Sequence, residues 1–155
     1  MRLGSLLGVA ALVVLPLGGC AMETSSICVE YVDFETPAAA AAGVAVVVVG
    51  TVVGSAGQRE IYGEPAPVHR FAIESVLKGD LPGDAREIDV ASVPQSCNGA
   101  DRGPFPDGDP LDTSDRVELF LSEEDGAFHT VTPWDGVESA PVGKPLPWDP
   151  AAATD

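Results

Sequence analysis

Aspartates, histidines and cysteines are the side chains of this 155-residue sequence with chemistry to offer. Asp101, Asp107, Asp109, Asp112 and Asp115 crowd one stretch, and oxygen-rich loops suit calcium, which takes about six to eight hard ligands. The EF-hand spacing fails, because Leu111 stands where a further Asp or Asn is required. The stretch therefore reads as a solvated acidic loop, with no metal and no cofactor. His69 and His129 are the two histidines. Strand periodicity puts His69 on one face with Phe71 and Ile73, and His129 falls in a later hairpin, so both read as ordinary strand residues. The sequence contains no Gly-x-Ser-x-Gly elbow, no phosphate loop and no zinc-ligand spacing. The expectation is a protein that is not an enzyme. The competing reading is a small metal-dependent hydrolase that uses the acidic loop.

The cysteines carry a different chemistry. Arg2 precedes an apolar run, Leu6 to Leu15, that closes on Leu17-Gly18-Gly19-Cys20. That run is shorter than the roughly 20 residues a bilayer span requires, and it has the tripartite form of a secretory signal. The closing tetrad resembles the lipobox of bacterial lipoproteins. The resemblance implies cleavage before Cys20, thioether lipidation and acylation of Cys20, and a chain held to the cell membrane on its extracytoplasmic side. A thiolate is the best nucleophile among common side chains, which suits lipid transfer. With Cys20 lipidated, Cys28 and Cys97 remain as a pair in an oxidising compartment. No His lies within zinc-ligand spacing of either, so they read as a disulfide rather than a metal site. A loop of that length is credited with roughly 4 kcal/mol in the chain-entropy account.

Charge narrows the partners. The formal charge of the whole chain is −16; loss of residues 1–19 removes one Arg and no acid, leaving −17. Nucleic acid is excluded as a ligand, since its binding depends on Lys and Arg neutralising phosphates. Electrostatic attachment to anionic lipid is disfavoured as well, which leaves the acyl chains to hold the membrane.

The elements that position these residues follow from punctuation and periodicity. Residues 20–27 form a short lipidated tether. Thr36-Pro37 before a run of alanines predicts a helix capped by Thr36 and ended by Gly43. Strands are predicted over 44–54, 69–77, 87–92, 116–122 and 127–132. The first carries valines on both faces, which favours a buried strand over a membrane helix. Gly50 in its middle permits a bend. Turns are predicted at Gly54-Ser55-Ala56-Gly57, at 78–83 and at Asp125-Gly126. Residues 94–115 read as a long loop. After Val137, four prolines and few apolar residues predict a flexible tail over 138–155, with Trp148 inside it.

A family resemblance joins these pieces. Val46-Val47-Val48-Val49-Gly50-Thr51-Val52, Phe71-Ala72-Ile73-Glu74-Ser75-Val76-Leu77-Lys78-Gly79, Cys97-Asn98-Gly99 and Val117-Glu118-Leu119-Phe120-Leu121 occur in that order. The pattern, over about residues 28–135, resembles the OB-fold domain of the tissue inhibitors of metalloproteinases, shared with netrin-type modules. It implies an early cysteine paired with one after the third strand, which fits Cys28 with Cys97. Inhibitors of that family chelate zinc through the free amine of an N-terminal cysteine. Here eight residues of the mature chain precede Cys28, and Cys20 is expected to be acylated, so that mechanism is excluded.

The expected molecule is all-β. It has a signal peptide at 1–19, a lipidated tether at 20–27, and a small five-stranded OB-like antiparallel barrel with a short N-terminal helix at 28–137. A Pro-rich tail covers 138–155. Its expected role is that of a lipid-anchored binding module, with an exported protein or a glycan as partner.

Overall fold

The computed structural model describes residues 29–95 and 103–152. Cys20, Cys28, Cys97 and Asp101 lie outside the described residues, as do the signal peptide and the tether. The described chain is mostly strand with one short helix. Helix α1 (Pro37–Gly43) precedes β1 (Val46–Ile61), β2 (Glu64–Lys78), β3 (Glu87–Ala91), β4 (Arg116–Glu124), β5 (Ala127–Thr130) and β6 (Val137–Ser139). Thr36 caps α1, its hydroxyl accepting from the Ala39 amide at 3.2 Å, and Pro37 occupies the first turn, where no amide is needed.

Five of the strands close a hydrogen-bonded ring in the order β1-β2-β3-β5-β4 and back to β1. All contacts are antiparallel but one: β3 and β5 run parallel, through Val90↔Phe128 and Ala91↔His129. This corrects the uniformly antiparallel expectation, and the reason is arithmetic. Strand directions cannot alternate all the way around a ring with an odd number of members, so one neighbouring pair must agree. The sixth strand lies beside β5 on the same edge of β4, pairing Glu118↔Glu138.

β1 is shared, paired with β2 along its length and with β4 from Val46 to Thr51. Val46 and Val48 enter the ring interior, with Phe71, Leu119 and Leu121. Val47 points the other way, toward Phe120, Ala40, Ala41 and Val44, under a cover that includes Trp148. The valines of both faces are buried because the ring fills one side, while helix α1 and the C-terminal segment cover the other. The register with β2 shifts between Val49 and Gly50. A Cβ at Gly50 would run into the carbonyl oxygen of Ala72 and the ring of Phe71. Only glycine allows β1 and β2 to approach so closely there.

Two further sequence expectations are corrected. β1 does not turn at Gly54–Gly57; it continues to Ile61 and reverses at Tyr62-Gly63, both at positive φ (55° and 83°), the conformation of a tight type I′ hairpin. Gly54 and Gly57 instead flank register shifts in a long two-stranded ribbon. The second correction concerns the C-terminal segment. Residues 137–152 are not a loose tail. β6 pairs with β4, Ala140 is buried, and Trp148 joins the apolar cover over β1. Arg116 fastens the segment by donating to the Ala140 carbonyl at 2.6 Å, and the Ala140 amide donates to the Arg116 carbonyl at 3.0 Å. Val137, Ala140 and Trp148 supply the apolar surface that holds an otherwise polar, proline-rich stretch.

Candidate functional site

The described residues 103–115, which lead into β4, are tied to the ring at Asp109. One carboxylate oxygen of Asp109 accepts from the buried Ser92 hydroxyl at 2.5 Å and from the Leu111 amide at 3.0 Å. The other lies 2.7 Å from His69 Nε2. Strand β2 presents His69, the end of β3 presents Ser92, and Leu111 plugs the ring interior with no exposed surface. The residue that spoils the EF-hand spacing is thus a core anchor.

Serine, aspartate and histidine meet here in the wrong order for a nucleophile. In hydrolytic triads the histidine lies between serine and aspartate, so that it takes the hydroxyl proton. Here the aspartate lies between the other two, and Ser92 is fully buried. The arrangement is a clasp that fixes the loop. It borders two concavities. One, of about 490 Å³, is lined by Ser55, His69, Asp112, Thr113 and Ser114. The other, of about 230 Å³, is lined by Gln95, Phe105, Pro106, Asp107, Pro133 and Trp134.

The second concavity continues into an aromatic surface. Tyr31 stands edge-on to Trp134 at 5.7 Å between ring centroids, and Tyr62 lies 6.4 Å from Tyr31 at a tilt. The Tyr31 hydroxyl donates to the Pro94 carbonyl at 2.7 Å, which fixes the middle ring. Burial pushes the Tyr31 phenol up to about 12, and neighbouring Tyr62 adds to the shift, so it remains a neutral donor. Tyr62 and Trp134 keep 39% and 44% of their surface exposed. Trp134 is held by its turn: the Thr132 hydroxyl accepts from the amides of Trp134 and Asp135, and the Asp135 carboxylate accepts from the Phe34 amide.

The sequence-predicted residues fall out as follows. His69 and Asp109 are brought together, and His129 is not; its Nδ1 lies against the Thr130 carbonyl. Asp107, Asp109, Asp112 and Asp115 do not converge, and among the described residues no group of three or more His, Cys, Asp or Glu side chains is placed to hold a metal ion. No helix of the described residues is long and apolar enough to cross a membrane. The aromatic surface has no local sequence signal, because its rings come from positions 31, 62 and 134. The one hint is that Tyr62-Gly63 and Pro133-Trp134 place large rings in turns, where burial is least expected.

No family model, no curated protein and no solved structure matches the chain.

Proposed function

We propose that the chain is a lipid-anchored, extracytoplasmic binding module built on an OB-like barrel, and that it meets its partner through the Tyr31–Tyr62–Trp134 surface. The single observation that supports this reading best is the pair of half-exposed rings, Tyr62 and Trp134, flanking Tyr31, with Trp134 lining a concavity. Large, stiff aromatic side chains give contact area at low entropic cost, and they are enriched where proteins bind partners. The polar groups Gln95 and Asp107 at the rim supply directional contacts to an exported protein or a glycan. The OB-like assignment is supported by the ring order and by the parallel β3–β5 contact. The lipid assignment rests on Leu17-Gly18-Gly19-Cys20, and the Cys28–Cys97 disulfide on cysteine count and compartment.

A photo-crosslinking residue at Tyr62 in intact cells tests the surface, with the same residue at Val142, which is 85% exposed and lies in the C-terminal segment, as control. A discrete adduct is expected from position 62 and not from 142, and Trp134→Ala should abolish it. Equal adducts from both positions, or an adduct indifferent to Trp134→Ala, would refute the assignment.

A further inference from the structure

Along β4, Val117, Leu119 and Leu121 face the ring interior. Glu118 and Phe120 face outward, where a solvent-exposed glutamate is the ordinary expectation. Instead Glu118 has no exposed surface, because β6 flanks it on the edge of β4 and the segment at Trp148 lies over it. Its Oε2 accepts from the Trp148 amide at 3.2 Å, and its Oε1 has no hydrogen-bond partner among the described residues.

The surroundings make ionisation costly. On β6, Glu138 pairs with Glu118 directly across the strands, and Asp149 follows Trp148 in the covering segment. On the other edge β1 offers Val49, and helix α1 contains no charged residue. Lys78 of β2 is committed to the carbonyls of Ala41 and Val44. Among the described residues Arg116 on β4 is the one favourable charge acting on it, and its guanidinium is engaged by Glu74 at 2.7 Å and the Ala140 carbonyl at 2.6 Å. A buried carboxylate with an unpartnered oxygen and two acidic neighbours is much better accommodated with a proton on it.

We propose that residues 137–152 form a proton-gated strap, paired to the edge of β4 through β6 and folded over its outer face at Trp148, that is seated while Glu118 is protonated and loosened when Glu118 ionises. The strap, and not the ring, is the part that yields. It holds β4 through three strand pairs, the Arg116–Ala140 bonds and Trp148, and most of residues 141–147 are exposed. Loosening its outer part, around Trp148, hydrates Glu118 while Val137 keeps its place against the ring-interior cluster.

Burial is the largest cause moving the Glu118 carboxyl from 4.5 to about 7. The Trp148 amide lowers it, Glu138 and Asp149 raise it, and Arg116 lowers it. The sign follows from the seated form binding the proton more tightly than the loosened form. Seating is strongest below about pH 4.5, weakens through the window from 4.5 to 7, and is level above it. Between pH 5 and pH 8 that shift corresponds to a roughly 70-fold loss in the seating constant.

Hydrogen exchange of the full chain, with each rate divided by its intrinsic rate at the same pH, reads this directly. Protection of residues 138–152 should fall by roughly that factor between pH 5 and pH 8, while peptides from residues 46–51 hold theirs. In Glu118→Gln the protection of the strap should be independent of pH. A flat profile in the unaltered chain, an equal fall in 46–51, or the same fall in Glu118→Gln overturns the proposal. If Glu118→Gln does not fold, Glu138→Gln replaces it. That variant should show a smaller fall with a lower midpoint, and an unchanged profile there overturns the proposal too.

Discussion

Leu111→Ala would test how the loop that builds both concavities is held. Leu111 has no exposed surface and belongs to the ring-interior cluster with Val46, Val48, Phe71 and Leu119. Truncation removes most of a side chain from a closed ring whose strands cannot collapse inward without breaking their pairing. The cost should sit in the ordinary range for buried leucines, about 3 kcal/mol, made up of lost transfer energy and a residual cavity. For a folded part of this size that is roughly a 12 °C fall in Tm. Thermal unfolding followed by near-ultraviolet circular dichroism measures it, with exposed Asp112→Ala as control, expected within about 0.5 kcal/mol of the unaltered chain. The variant should also raise amide exchange in residues 105–115, because the Asp109 clasp is then the loop's main tie. A loss below about 1 kcal/mol, or one no larger than that of Asp112→Ala, would mean that the loop is not anchored in the ring.

Three further outcomes follow. Gly50→Ala should cost about 2–3 kcal/mol by urea unfolding, since the obstacle is the Ala72 backbone, while Gly54→Ala, whose Cβ meets nothing within 4 Å, should cost far less. Asp109→Ala should cost about 1–3 kcal/mol in the same assay, because the buried Ser92 hydroxyl loses its acceptor; a neutral result would contradict the clasp. Cys20→Ala should move the protein from the membrane to the soluble exported fraction, and a variant that stays with the membrane would remove the support for lipidation.

What could be read from the sequence was whatever local chemistry determines. Thr36-Pro37 announces the start of α1, Asp125-Gly126 announces its hairpin, and the valine run of β1 reads as a strand buried on both sides. The ribbon formed by the distal halves of β1 and β2 was hidden, because Gly54, Gly57, Pro65 and Pro67 carry turn signals that bulges and a marginal strand position absorb. The seating of residues 137–152 was hidden for another reason. Its apolar side chains are few, and their worth depends on an outward β4 face that exists only once the ring has closed. Glu118 is the sharpest case. Alternation with Val117 and Leu119 marks it correctly as outward-facing, and periodicity carries no information about what lies over that face. The aromatic surface was invisible for the same reason: positions 31, 62 and 134 become neighbours only through the topology.

The long ribbon has a consequence for how the molecule avoids its own copies. Beyond Thr51, β1 parts from β4, and among the described residues its edge from Val52 to Ile61 has no strand partner on that side. A straight edge of that length would be a template for a second chain, the usual route from a folded sheet to an aggregate. This one is not straight. Register breaks fall at Val52/Gly54 and Ser55/Gly57, Gly57 takes a positive φ of 107°, and Arg59 and Glu60 charge the distal stretch. An incoming strand would lose step with the ladder twice within a few residues. The same irregularities that disguise the ribbon as a turn make its edge a poor template for a second chain.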